Sequence, residues 1–251
     1  MSFAAFLPDT QKHSFSVSGQ FLMSAYGEDK YTPFAMVETA DLTIEQETQE
    51  LADSYSGSGN YDKLYNVKAV TLDFAVKTFQ PDIIAEMTQG AATTRDEKTV
   101  TDEEQTAALG QLVPLKNIGA GDYQVMPSAG GQPYVAGKDY FPTALGIIPL
   151  KGGSIVEGSK IKISYKSRAA SVVDWLVGSG KERSLLFHGI NKANRRDVVV
   201  EVFRGKFGFP DKYALLGKDF RSSSLKFEVL ADPRQTGDGI SQWVRETLLT
   251  T

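Results

Sequence analysis

Three stretches near the amino end alternate apolar and polar residues with a period of two: 13–26, 35–47 and 66–78. Successive side chains of a strand point to opposite faces of a sheet, so this pattern is typical of half-buried antiparallel strands. In the second stretch Ala40 and Leu42 fall on one side and charged or hydroxyl residues fall on the other. The pattern therefore predicts a sheet with one face buried in a core and the other exposed to water.

The remaining sequence also consists mainly of strand patterns and contains little helix. Further strands are predicted over 123–126, 132–136, 145–150, 160–166, 183–189, 197–207 and 224–230. One short helix is predicted over 81–89, where Pro81 suits the first turn and Gly90 can end the helix. Its apolar stripe, which we expect to pack on a sheet, consists of Ile83, Ile84 and Met87. We expect a mainly β fold with one or two short helices.

Several classes of protein are excluded or disfavoured. The chain has no cysteine, which excludes disulfides and thiolate metal sites. Its two histidines, His13 and His188, stand alone in strand patterns, and the glycines at 178 and 180 lack the rest of a phosphate-binding loop. We expect no enzyme activity, no metal and no cofactor. We also expect no membrane association, because the most apolar stretch, 141–150, is short and interrupted by prolines.

Charge is unevenly distributed along the chain. The net formal charge is −4, but residues 1–100 carry −8 and residues 168–251 carry +4. Opposite charge at the two ends indicates either two partners or faces of one protomer that attract copies of itself. The alternative is that both are simply solvated surfaces.

The polar sides of stretches 39–47 and 69–77 are dominated by acidic and hydroxyl residues, and Lys77 is their one cation. As hairpin partners, the two strands would place like charges close together, which is tolerable only beside water. The face is therefore either a plain outer surface or the wall of an aqueous lumen. The candidate lumen-lining residues are Thr39, Asp41, Thr43, Glu45, Glu47, Thr71 and Asp73.

One protomer cannot enclose such a lumen, because a barrel of about eight strands is filled by its own side chains. Six copies that give four strands each would make a ring of about 24 strands, with a backbone diameter of roughly 48 Å. A double helix would pass through it. An acidic wall offers no cations to displace phosphate counterions, so DNA would slide without binding.

The Gly/Ser-rich segment 49–62 between these two strands is too long for a tight hairpin turn. We expect a mobile loop there. Its candidate contact residues are Gln49, Glu50, Asp53, Tyr55, Asn60, Tyr61 and Asp62.

The order and spacing of short motifs resemble the major tail tube proteins of long-tailed (siphovirus-like) bacteriophages. The first similar stretch is 66–90, NVKAVTLDFAVKTFQPDIIAEMTQG, which resembles the family's strand followed by a short helix. The others are VTDEE at 100–104, GKDY at 137–140, GIIP at 146–149, KIKISY at 160–165, LFHGIN at 186–191, VVVEVFR at 198–204, LGKDF at 216–220 and LADP at 230–233.

The resemblance implies a tail-tube β-sandwich or partial barrel, six copies of which form a ring, and rings that stack into a tube with an acidic DNA-conducting lumen. The core would comprise residues 1–90 and 168–251, with 91–167 inserted as a β-rich subdomain. The loop 49–62 would order against the next ring. Implied partners are further copies, other tail proteins such as the tape measure, tip and terminator, and passing DNA, in a virion tail assembled in the bacterial host cytoplasm.

The basic C-terminal block supplies candidates for contacts with acidic surfaces of neighbouring subunits: Arg195, Arg196, Arg204 and Lys206. Two other functions stay open. A tube subunit of a contractile secretion system would share the ring but pass proteins. A carbohydrate-binding β-sandwich on a virion surface would use exposed tyrosines for stacking and would not polymerise.

Overall fold

The computed structural model describes residues 15–55, 59–119, 121–210, 212–216, 218 and 221–249. The protein is mainly β, as the sequence predicts. Its strands are β1 (Val17–Ala25), β2 (Thr32–Pro33), β3 (Val37–Ala52), β4 (Asn60–Val76), β5 (Ala91–Arg95), β6 (Lys98–Thr106), β7 (Val113–Pro114), β8 (Gly121–Pro127), β9 (Tyr140–Thr143), β10 (Gly146–Pro149), β11 (Lys160–Ser167), β12 (Ala170–Asp174), β13 (Glu182–Asn191), β14 (Arg196–Phe207), β15 (Ser223–Val229) and β16 (Val244–Leu248). A short helix, α1 (Pro81–Met87), follows β4.

The chain divides into two compact units. The first unit combines the described residues up to Ala92 with those from Val173 onward, and the second unit spans residues 93–172. The two changes of unit fall within β5 and β12, which pair with each other. The sequence expectation placed the inserted segment at 91–167.

The first unit is built on a sheet in the order β2-β1-β13-β14-β15-β4-β3, with β16 added beside β14. Neighbouring strands are antiparallel. One edge of β14 pairs with β13, and its other edge is shared by β16 near Val200 and by β15 near Phe207. Strands β3 and β4 therefore lie at one end of the sheet, with β3 at the edge.

The core of the first unit is a cluster of aliphatic and aromatic side chains from the sheet and α1. Ile83 and Met87 of α1 are buried in this cluster, while Ile84 is half-buried and Ala85 is buried. The predicted helix is confirmed, although it ends at Met87 rather than residue 89. The other members of the cluster are Phe34, Val70, Leu72, Phe74, Val76, Leu185, Val202, Phe207, Leu225, Phe227 and Val229.

The second unit has its own core, between two three-stranded sheets ordered β7-β10-β9 and β6-β11-β8. Two carboxylates are buried in this unit with hydrogen-bond donors. Glu103 accepts a bond of 2.6 Å from the Tyr165 hydroxyl, and Asp139 accepts backbone N–H bonds from Val135 and Ser154. Burial would raise the pKa of Glu103, but the bonds from Tyr165, Gln105 and the Lys116 backbone outweigh it and lower the pKa.

One predicted strand is wrong. Residues 132–136 form a loop with isolated bridges from Tyr134 to Val125 and from Ala136 to Tyr140, because Gly130 and Gly131 turn the chain with positive φ and Pro133 offers no N–H. Seven strands were not predicted: β2, β5, β6, β7, β9, β12 and β16. In β5 and β6 a polar sequence conceals the alternation, and β2, β7 and β9 are only two to four residues long. The other predicted strands are confirmed, with end points shifted by several residues in some cases.

Candidate self-assembly surface

The β3–β4 hairpin extends beyond the sheet that carries it. Among the described strands, β15 pairs with β4 only from Val70 to Val76, and the part of β4 between Asn60 and Ala69 pairs with β3 alone. We call residues 45–69 the arm. At about 3.3 Å per residue, its eight residues of β3 reach roughly 26 Å. An isolated two-stranded ribbon is at best marginally stable in water, so the arm is the least supported part of this sheet.

The loop predicted over 49–62 is shorter than expected. Strand β3 continues to Ala52 and β4 begins at Asn60, which leaves the connection 53–59, of which 56–58 lie outside the described residues. The ladder continues because cross-strand pairs support it, including an ion pair of 2.7 Å between Glu50 and Lys63. Predicted loop residues now placed in strands are Gln49, Glu50, Asn60, Tyr61 and Asp62. In the connection, Asp53 accepts a hydrogen bond from the Tyr55 N–H.

Strands β3 and β4 pair as a hairpin, as the sequence predicts, and their register brings acidic residues together. Asp41 lies opposite Asp73, and Thr43 lies opposite Thr71. The other candidates on this acidic side, Thr39, Glu45 and Glu47, are exposed on β3. Thr71 is a correction, since it is buried between its partners on β3 and β15 and offers no exposed hydroxyl.

The acidic side is also less uniform than the sequence indicates. Lys226 of β15 lies opposite Asp73, on the side away from Asp41. The Lys68 ammonium lies 3.5 Å from the Glu45 carboxylate. Lys77, the predicted exception, pairs at 2.9 Å with Glu38. These lysines belong to β4 and β15 or follow β4, and strand pairing brings them beside the acidic residues. The sequence of β3 alone does not reveal them.

A β-bulge at Lys68 decides which side chains share a face of the arm. Glu45 pairs with Ala69, but Gln46 pairs with Val67, so Lys68 is an extra residue in β4. Without it, strict alternation from Val70 would place Val67 on the acidic side. With it, Val67 and the next alternate residue, Tyr65, fall on the other side.

That other side is apolar and exposed. It begins with Leu42 and Ile44 of β3, opposite the buried Leu72 and Val70, and continues with Val67 and Tyr65. The exposed fractions of Ile44, Val67 and Tyr65 are 55%, 50% and 63%. We call this stripe, which starts at Leu42 and Ile44 just before the arm and continues with Val67 and Tyr65, the apolar side of the arm. Within the arm, Gln46 and Thr48 lie opposite Val67 and Tyr65, and the Glu50–Lys63 ion pair ends the stripe. Tyr65 and Val67 were not among the predicted site residues, because the extra residue Lys68 reverses their alternation relative to Val70.

An open groove of about 660 Å³ adjoins the base of the arm. Leu42 and Leu72 line one wall, and the opposite wall comes from β1, β13, β14 and β16. We call it the apolar groove. Its principal apolar lining residues are Phe15, Val17, Phe21, Phe187, Val200 and Val244, and its charged residues are Glu38, Lys192 and Glu246.

Two of the four basic residues predicted to contact neighbouring subunits are engaged within the protomer. Arg204 donates two hydrogen bonds, of 2.9 and 2.8 Å, to the Glu182 carboxylate, and Lys206 lies 3.7 Å from it. The Arg204 bonds lower the pKa of Glu182. Arg195 is exposed and Arg196 is half-buried beside the β13–β14 turn.

A second charged cluster joins strands of the first unit. The Asp232 side chain is fully buried and accepts hydrogen bonds from the Tyr26 hydroxyl and the Arg234 guanidinium. Arg234 and Arg204 both lie over the Tyr26 ring. These contacts hold the Asp232 carboxylate between two donors, which is typical of a structural role.

Within the described part of the chain, no group of three or more His, Asp or Glu side chains could hold a metal. His188 is exposed beside Asp197, and His13 lies outside the described residues. No helix among the described residues has the length and apolarity needed to cross a membrane.

The chain is therefore a mainly β protein in which the β3–β4 hairpin extends beyond the strand that pairs with it. The family described as "Protein of unknown function UCP028589" matches residues 14–247, so the chain belongs to that family. No curated protein matches the chain.

Proposed function

We propose that this protein is the subunit of a phage tail tube, in which hexameric rings stack into a hollow tube that conducts viral DNA. The observation that carries the proposal is the β3–β4 hairpin with its arm, whose two sides are both exposed among the described residues. One side carries Asp41, Asp73, Glu45 and Glu47, with Leu64 and Leu51 nearer the tip, and the other carries the apolar stripe that ends at the Glu50–Lys63 ion pair. A ring of copies accommodates both sides at once. The apolar sides are buried between subunits and the acidic sides face water in the bore.

Among the described residues, β3 has no partner strand on its outer edge, and this edge supports the same arrangement. Its unpaired backbone groups would template another strand, and an exposed edge of 16 residues is a liability in a protein that acts alone. Pairing of this edge with a different edge of the next copy is a heterologous contact, which generates closed rings or filaments. Ring closure removes the edge entirely.

The proposal predicts that the two sides of the arm respond differently to the same charge. Val67→Asp with Tyr65→Asp adds two carboxylates to the apolar side and should abolish tube formation, because ring closure would bury them. Asn66→Asp with Leu64→Asp adds the same charge to the acidic side of the same strand and should leave tubes intact. Negative-stain microscopy at rising protein concentration measures the outcome, and circular dichroism checks that both variants fold.

Equal loss of tubes in both variants would contradict this orientation of the arm. A wild-type protein that stays monomeric at every concentration would contradict the function itself. Tubes that form but exclude duplex DNA would instead favour the tube of a contractile secretion system.

A further inference from the structure

A run of apolar residues precedes Phe15, the first described residue, in the sequence. Residues 3–7 read Phe-Ala-Ala-Phe-Leu, whereas residues 8–14 are mostly polar. Residues 1–14 lie outside the described residues. The other segments outside the described residues contain no apolar run; they are 56–58, 120, 211, 217, 219–220 and 250–251. Burial against an apolar surface stabilises a run of this kind.

The described part of the chain begins at the wall of the apolar groove. Phe15 lines the groove, yet the exposed fraction of this residue is 59%. The next residue is fixed in place. The Ser16 N–H donates a hydrogen bond of 3.1 Å to the side chain of the buried Asn191, and the Ser16 carbonyl accepts one of 2.7 Å from the Lys192 N–H. The point at which residues 1–14 join the described chain is therefore held at the groove.

We propose that residues 3–7 bind in the apolar groove of their own copy. This inference concerns the single protomer and does not rest on the proposed function. The groove of about 660 Å³ has room for the run, because a cavity of about 150 Å³ accepts a benzene-sized group and the run contributes two phenyl rings and one leucyl side chain. Residues 2–8 carry no charged side chain, so their binding brings no unpaired charge into the groove.

The length of the connection favours the groove of the same copy over that of a second copy. Residues 8–14 separate the run from Phe15, and at about 3.3 Å per residue they reach up to roughly 23 Å. That reach exceeds twice the spacing of about 10 Å between packed sheets, so the run can return to either wall of the groove. A connection this short also gives the run an effective concentration in the millimolar range at its own groove. A second copy matches this only at a comparable protein concentration.

The bound run would cover apolar surface of the free protomer. The groove includes Leu42, at which the apolar side of the arm begins, together with Phe21 and Phe187. Large exposed apolar patches are sites of association or aggregation, so covering this surface limits unspecific contacts of the protomer.

The absence of cysteine makes the contact directly testable by cross-linking within one chain. The test variant is the full-length protein with Ala4→Cys and Ala40→Cys, since Ala40 is exposed and lines the groove. The matched control is Ala4→Cys with Ala193→Cys. Ala193 is exposed, is not among the described residues that line the groove, and follows Lys192, whose N–H bonds Ser16. It therefore lies close to the joining point, and an unbound run would reach it at least as readily as Ala40.

After mild oxidation, we expect mass spectrometry to detect at least tenfold more intramolecular disulfide in the Ala40→Cys variant than in the Ala193→Cys control. Equal linkage in the two variants, or no linkage in either, would overturn the inference. Full-length Ala4→Cys protein mixed with isotope-labelled, full-length Ala40→Cys protein tests the other occupant. Linkage between these chains, without linkage inside the double variant, would overturn the inference and assign the groove to the run of a second copy.

A second measurement does not depend on disulfide geometry. Phe3→Asp with Phe6→Asp should open the groove, since burial of two unpaired carboxylates is unfavourable, and should raise the fluorescence of the apolar dye anilinonaphthalene sulfonate severalfold. Thr10→Asp with Gln11→Asp adds the same charge to the connection and should leave the fluorescence unchanged. Circular dichroism checks that both variants fold. Equal dye fluorescence in the two variants would overturn the contact.

Discussion

At the scale of single residues, the paired charges inside the first unit show how environment decides the role of a side chain. Burial alone would raise the pKa of Asp232, but hydrogen bonds from Arg234 and Tyr26 outweigh it and lower the pKa to about 2. The carboxylate is therefore ionised and bonded in the folded protein. Arg204, predicted from sequence to contact a neighbour, is likewise neutralised by Glu182, a partner 22 residues away. Such pairing depends on strand register, which single residues do not reveal.

The depressed pKa makes Asp232 a contributor to stability that depends on pH. A carboxylate with a lower pKa in the folded state stabilises the fold above its ordinary pKa of 3.8, and this contribution is lost as pH falls toward about 2. Asp232→Asn should lower the free energy of unfolding at pH 7 by about 1–3 kcal/mol, since it removes charge-assisted hydrogen bonds. Denaturant unfolding at several pH values should show this difference shrinking between pH 4 and pH 2. The exposed Asp238→Asn is the control, and a constant difference across that range would contradict the assignment.

At the scale of elements, the sequence predicted the strands in which apolar and polar residues alternate. It did not predict features that depend on which strands pair with each other. The alternation of apolar and polar residues correctly predicted the central parts of β3 and β4 and their pairing. It is clear there because one side of β4, which carries Leu72 and Phe74, is buried. It did not reveal that the hairpin continues through residues 49–52 and 60–62, where both sides are exposed and no apolar alternation survives. The apolar groove was equally invisible, because its walls come from strands far apart in the chain.

The bulge at Lys68 gives a prediction at this scale. Deletion of Lys68 removes the extra residue but keeps Gln46 opposite Val67, so the acidic and apolar sides keep their members. Insertion of one threonine between Glu45 and Gln46 instead restores one-to-one pairing and turns Val67 and Tyr65 to the acidic side. We expect tubes from the deletion variant and none from the insertion variant, as counted by electron microscopy. The reverse result would mean that the sides of the arm do not direct assembly.

At the scale of the whole molecule, the proposed tube would combine the acidic sides of many copies into one negatively charged bore. Each copy contributes a few carboxylates, and their density around a shared lumen would keep DNA from adhering, with repulsion screened over about 8–10 Å at physiological salt. Asp41 lies beside Asp73 and Glu45 forms only an exposed ion pair with Lys68. Replacing either by lysine therefore costs the protomer little.

Asp41→Lys with Glu45→Lys should accordingly still give folded protomers and tubes, but with cations on the wall of the bore. DNA phosphates would then be held by the wall, so ejection should slow severalfold at low salt and recover as salt rises. The control reverses two exposed aspartates outside the β3–β4 hairpin, Asp29→Lys and Asp96→Lys, and should leave the kinetics unchanged. The measurement is the ejection rate from assembled particles across a salt series. Identical kinetics for the Asp41→Lys, Glu45→Lys variant and the control at every salt concentration would place the acidic side outside the bore, because a wall that touches passing DNA cannot reverse its charge without altering the rate.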